Sequence, residues 1–316
     1  MMARVVLALL GGVVACAPRT VCAQGAGATH LVVITGVSGE ARIKTEWHGI
    51  ATAIATAATT RLGLASSRVT VLDEDSTAAT GWMSGRSNRA GIERTLGALA
   101  RSLSAADRLV IVIMAHGSSL SGPTRVNLPG PDMTPADFAR VLAPATAPEL
   151  AVIHTGSASA EFATALGGPR RIVITATKSE REQNETLFPG PFTRAITTDA
   201  GDADKDGRVS LLEAFTFAKQ EVEQVFAKGN LLPTEHPVLT DGAEGGRARG
   251  FFLADARATS SSASAAALEA RAAVQARLDA LRARRGTMSE DEYLQALEPL
   301  ILELIERTRA LREGKP

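Results

Sequence analysis

The residues best able to do chemistry lie in one run, DADKDGRVSLLE, at 202–213. Acidic side chains recur at every second position as Asp202, Asp204 and Asp206. Arg208, Ser210 and Glu213 follow in register. A hard divalent cation takes about six to eight oxygen ligands, and a twelve-residue loop offers them from positions 1, 3, 5, 7, 9 and 12. In that register Asp202, Asp204, Asp206 and Glu213 supply carboxylates, with Glu213 binding through both oxygens. Arg208 supplies only its backbone carbonyl, and Ser210 acts directly or through water. Gly207 falls at position 6, where the chain must turn sharply, and the apolar Val209 falls at position 8. The spacing predicts one calcium site in an EF-hand-type loop. The plainer alternative is an acid-rich turn that caps the helix that follows, SLLEAFTFAKQEVEQVFAK.

A second reactive residue ends the apolar run VIVIMAHGSS, at 110–119. A histidine at the tip of a buried strand is placed to act as a general base. His116 is such a residue, and it needs a nucleophile to serve. The chain has two cysteines, Cys16 and Cys22. Both precede residue 24, in MMARVVLALLGGVVACAPRTVCAQG. Arg4 makes a positive start there, residues 5–15 are an apolar stretch too short to span a bilayer, and VCA precedes Gln24. The expectation is an export signal cleaved after Ala23, giving a periplasmic or extracellular protein. The alternative is a lipid anchor on Cys16, at the end of VVAC. Cleavage after Ala23 leaves no thiol for a disulfide, a metal or a nucleophile.

The elements that must position these residues alternate in type. HLVVITG (30–36), RVTVL (68–72), RLVIVIMA (108–115), LAVIHT (150–155) and RIVITAT (171–177) read as strands. The third is apolar on both faces and so central. Between them TEWHGIATAIATAATTRLGL reads as a helix capped by Thr45, SNRAGIERTLGALARSL as one opened by Ser87 or Asn88, and TPADFARVL as one with Thr134 and Pro135 at its start. Asp132 settles the turn before it. The alternation predicts an α/β fold: a mostly parallel sheet flanked by helices, over residues 24–255. Residues 256–267 read as an Ala/Ser linker. Residues 268–313 read as a helical hairpin, with a capping box at Ser289 and Glu292 and a local bend at Pro299. That hairpin docks on the domain, self-associates, or presents a surface to a specific partner.

Composition narrows the partners. Among 316 residues, 45% are apolar, 4% aromatic, and the net charge is zero. That balance argues against a nucleic-acid partner or a broad attraction to anionic lipid. No transmembrane span is expected after the leader.

Taken together, the motifs resemble the caspase/legumain superfamily of cysteine peptidases, in its bacterial branch of exported legumain-like proteins. The resemblance covers roughly 28–241. It rests on HLVVITGVSGE, DRLVIVIMAHGSS, LAVIHTGSASAEF, RIVITATKSEREQNETLFPGPFTRAI, and DADKDGRVSLLEAF followed by TEHPVLTD. It implies a caspase-like sheet in which a His-Gly at one strand end faces a cysteine at the end of the next. His116 stands at the base position, and Gly156 stands where the thiol should be. His154 and Thr155 replace the usual acidic-small pair. The resemblance also implies a substrate cleft bordered by the segment after the fifth strand, with Lys178, Glu182, Asn184 and Glu185; the alternative for this charged, amide-rich segment is a solvated loop. Arg125 and Asn127 follow the histidine strand and could reach the same cleft. Arg42 occupies a region where active relatives can bind an acidic substrate side chain.

Three roles follow. One is a noncatalytic, calcium-binding pseudo-peptidase that binds a peptide or protein ligand. Another is a hydrolase in which His116 serves a hydroxyl, with Ser157 best placed and Thr155 and Ser159 nearby. No carboxylate is evident to orient His116, and Ser157 or Ser159 could simply cap AEFATAL. The third is an assembly role carried by 268–313. His154 is read as a polar residue at the cleft rim. Its alternative is a transition-metal ligand paired with His116, which no carboxylate at ligand spacing supports.

Overall fold

The computed structural model describes residues 27–75, 82–119, 122–145, 148–254 and 262–312. The expected leader, with Cys16 and Cys22, lies outside the described residues.

Each apolar run becomes a strand. They are β1 (Thr29–Thr35), β2 (Val69–Asp73), β3 (Met83–Arg86), β4 (Arg108–Met114), β7 (Glu149–His154), β8 (Arg171–Thr175) and β9 (Val238–Thr240), with a small hairpin of β5 (Gly117–Ser118) and β6 (Arg125–Val126). The main sheet has seven strands in the order β3-β2-β1-β4-β7-β8-β9. All pair parallel except β9, which runs antiparallel to β8 at one edge. The central place of β4 follows from its composition. Val110, Val112 and Met114 fill one core layer, and Leu109, Ile111 and Ile113 fill the other. A strand buried on both faces requires a helical layer on each.

Those layers are supplied by α1 (Ala41–Thr60), α5 (Pro189–Thr197) and α6 (Leu211–Lys228) on one face. There Trp47, Ile54, Phe192 and Ala218 are buried. On the other face lie α2 (Arg89–Ser102), α3 (Pro135–Leu142) and α4 (Glu161–Leu166), which bury Ile92, Leu96, Phe138 and Phe162. The protein is thus α/β, with a mostly parallel mixed sheet between helices. Chain order leaves β1 in both directions, toward β2 and toward β4, so a crevice opens at the carboxyl ends of β1 and β4.

Local sequence fixes the helix starts. Asn88 accepts the N–H of Gly91, and Thr134 and Asp137 form a reciprocal capping box with Pro135 in the first turn. Asp132 accepts the N–H of Leu128. The first helix starts earlier than expected: Glu40 precedes it, and the Thr45 hydroxyl donates back to the Ala41 carbonyl from inside the helix. After the short α7 (Gly246–Gly250), α8 (Ser262–Ala283) and α9 (Glu290–Arg312) form an antiparallel hairpin around Leu278, Leu281 and Leu300. The helix α8 begins inside the stretch read as a linker, because SASAAA is rich in alanine, the best helix former. Ser289 and Glu292 make the expected box, and α9 runs on through Pro299. Among the described residues no helix is long and apolar enough to cross a membrane.

Candidate functional site

The backbone leaves β4 at Ala115 and carries His116 to the mouth of the crevice, half-buried. Its ring packs on Trp47 of α1, centroids 4.9 Å apart at 48°. Its carbonyl accepts the N–H of Asn127, whose own carbonyl accepts the N–H of Val37. Three strand tips are thereby tied together. Among the described residues no side chain hydrogen-bonds to the His116 ring, so none of them fixes its tautomer.

At the tip of β7 the chain passes tightly under this segment. A Cβ on Gly156 would lie 1.8 Å from the carbonyl oxygen of Ala115 and 2.8 Å from its carbon. A Cβ on Gly117 would lie 2.4 Å from the carbonyl oxygen of Ser157. Backbone therefore occupies the space a side chain on Gly156 would need. Ser157 is buried, and its hydroxyl accepts the N–H of Gly117 at 3.1 Å. It does not cap α4. Ser159 also serves elsewhere, bonding the backbone and hydroxyl of Thr177. Ala158, between them, holds φ of 48° and donates its N–H to the Glu182 carbonyl. The hydroxyl of Thr155 donates to the carbonyl of Ile113.

His154 corrects an expectation. Only 1% of it is exposed, its Nδ1 accepts the N–H of Gly156, and its ring meets Phe162 edge-on at 4.7 Å. Burial pushes its pKa down to about 3. Trp47 belongs to one core layer and Phe162 to the other, so the two imidazoles sit on opposite faces of the sheet. A rim position and a paired transition-metal site are both ruled out by that placement. The strand alternation of β7 gives the reason, because His154 shares a face with Val152.

The remaining residues expected at the cleft lie on several separate segments. Arg42 is exposed and donates to Glu185 at 2.8 Å, and this contact raises its pKa. The pair joins the start of α1 to the segment after β8. Lys178 is exposed, and its N–H donates to Glu182. Arg125 lies opposite Ser118 in the small hairpin, and the Asn127 amide oxygen accepts the Ser118 hydroxyl. Asn184 is exposed on the same segment.

Two residues escaped the sequence reading. His236 meets Glu182 at 2.6 Å. Glu235 is 3% exposed, with one oxygen accepting the Leu187 N–H and the other unpartnered. Burial, reinforced by the charge of Glu182, pushes Glu235 up to about 7 against the pull of the Leu187 and Phe188 N–H groups. The stretch TEHPVLTD carried both, but nothing in its spacing separates a buried glutamate from a loop one.

The acidic loop lies between α5 and α6. Asp202 accepts the N–H groups of Asp206 and Gly207 at 3.1 and 3.0 Å. Asp204 and Asp206 each accept an N–H two residues on, at 3.2 and 2.9 Å. Gly207 takes φ of 84°, which favours glycine. One oxygen from each of the three aspartates falls within 4.8 Å of the others, so the cluster could hold a metal ion. An all-oxygen, carboxylate-rich donor set suits a hard cation. Burial, then repulsion from Asp204, pushes Asp206 up to about 6.

Two side chains of the expected ligand set, Ser210 and Glu213, are engaged at the start of α6. Glu213 and Ser210 form the capping box of α6, with the other Glu213 oxygen accepting the N–H groups of Ala203 and Asp204. The side chain of Arg208 lies over the Phe252 ring, 3.8 Å from its centroid. Arg271 of α8, which the sequence did not single out, donates to both Asp204 and Asp206.

No family model matches the chain, and no curated protein matches it. Solved structures do. The Drosophila initiator caspase Dronc is 12% identical, with a TM-score of 0.41 over 68% of this chain and 79% of that one. The structure of pro-Sf-caspase-1 is 10% identical, with a TM-score of 0.44 over 68% and 88%. A protein from Geobacter sulfurreducens is 13% identical, with a TM-score of 0.43 over 67% and 92%. The chain is similar to these in fold.

Proposed function

We propose that the chain is an exported, calcium-binding, caspase/legumain-like pseudo-peptidase that binds a peptide or protein segment in the crevice beside His116. The observation that carries this reading is the contact of Gly156 with Ala115, where a side-chain carbon would meet a carbonyl oxygen at 1.8 Å. Covalent catalysis needs a nucleophile within reach of its base. Here the position facing the base belongs to backbone, and the adjoining hydroxyl accepts an N–H. Calcium in the 202–213 loop would be held by Asp202, Asp204 and Asp206, where it would offset three close negative charges and stiffen the entry to α6.

A hydrolase using His116 and Ser157 is the second reading. It is supported by the bond that places the Ser157 hydroxyl beside the residue after the histidine. The purified chain incubated with a peptide library and read by mass spectrometry separates the two. The pseudo-peptidase reading expects no new termini. Cleavage lost in His116→Ala would establish the hydrolase instead.

A further inference from the structure

We infer that Arg271 is a built-in counter-cation for the 202–213 loop, so that calcium and the docked α8 helix compete for the same two carboxylates. The inference rests on the calcium reading above. Arg271 is 7% exposed. Its guanidinium donates to Oδ2 of Asp206 at 3.0 Å and to Oδ2 of Asp204, and its Nε donates to Thr308 of α9 at 3.1 Å. The Oδ1 atoms of both aspartates are already taken by loop N–H groups. The two Oδ2 atoms accept no loop N–H and carry the more open lone pairs of these two side chains, and a planar guanidinium fork holds both. A divalent ion at coordinating distance from the same atoms would stand against a buried positive charge, and like charges repel strongly where water is excluded.

The hairpin is built to yield. Its apolar cluster of Leu278, Leu281 and Leu300 is separate from the two layers of the main core. A second polar tie, Arg249 to Asp279, spans 3.8 Å between partly exposed groups. Between α8 and the loop lies an open groove whose walls include Ala203, Leu212, Phe252 and Gln275. Loss of the Arg271 contact can therefore free α8 without opening the sheet, and by reciprocity a docked α8 weakens calcium binding.

Calorimetric calcium titration of the full chain and of Arg271→Gln, with hydrogen exchange of α8 in the wild type, tests this. The expected result is an affinity roughly tenfold higher in the variant, because the competing state is removed, and faster α8 exchange when calcium is added to the wild type. Equal or weaker binding by the variant, with α8 exchange unchanged or slowed, overturns the inference while leaving the calcium loop intact. Absence of calcium binding in both proteins defeats the loop reading and this inference with it. Should Arg271→Gln fail to fold, the wild-type exchange measurement decides alone.

Discussion

The hydroxyl of Ser157 accepts the backbone N–H of Gly117 at 3.1 Å and thereby stitches the tip of β7 to the tip of β4 beside His116. Both groups are buried. Ser157→Ala leaves that N–H without its partner and should cost about 1–3 kcal/mol in urea unfolding. A neutral substitution would show that the bond is not formed in solution.

Gly156→Ala adds the carbon that the Ala115 carbonyl excludes. The backbone must shift to admit it, so a loss of about 3 kcal/mol is expected from overpacking. Gly156→Cys, which supplies the thiol that the proposed kinship would place there, should be destabilised similarly and stay inactive on peptides. A stable Gly156→Cys variant that cleaves peptides would show that the slot is open.

Glu235 and His154 give stability opposing pH dependences. Glu235 rises from an ordinary 4.5 to about 7, so between those values the native state keeps a proton that the unfolded state has lost. Its contribution falls as pH rises through that window. His154 drops from 6.5 to about 3, so the unfolded state gains a proton that the native state refuses, and stability rises with pH up to 6.5. Across the overlap, from 4.5 to 6.5, the slopes cancel. Glu235→Gln should uncover the His154 slope and gain on the order of 3 kcal/mol at pH 8. Denaturant midpoints across pH measure it, and identical profiles for variant and wild type would contradict the assignment.

Asp202→Asn separates metal binding from the arginine contact, because Asp202 bonds only loop N–H groups while Arg271 holds Asp204 and Asp206. Calcium at a hundredfold excess over its dissociation constant should stabilise the wild type by about 2.7 kcal/mol. The variant should lose most of that gain. Thermal unfolding with calcium and with chelator reads the difference, and equal gains in both proteins would remove Asp202 from the ligand set.

Much of this was legible in the sequence, and for physical reasons. A run such as RLVIVIM, apolar at odd and even positions alike, has to be buried on both faces, and β4 is. Caps at Asn88, Thr134 and Ser289 carry their own hydrogen-bonding logic, and all three form. The edge strands were missed because β3 reads MSGR and β9 only VLT, too short and too mixed to show a period. The site was harder. His116 announces itself by following an apolar run, whereas the burial of His154 depends on which face of β7 meets Phe162. The tight packing of Gly156 was not legible either, since nothing in its sequence context reveals the Ala115 carbonyl against it. Arg271 lies 65 positions from Asp206, on a helix whose pattern says nothing about what its polar side will meet.

Intact-mass measurement after treatment with a serine-reactive phosphonate tests the central claim most directly. With Ser157 buried and turned to Gly117, and no hydrogen bond to the His116 ring among the described residues, the account predicts an unmodified mass for both the wild type and His116→Ala. An adduct on Ser157 in the wild type that vanishes in His116→Ala would show a working base and nucleophile, and would contradict it.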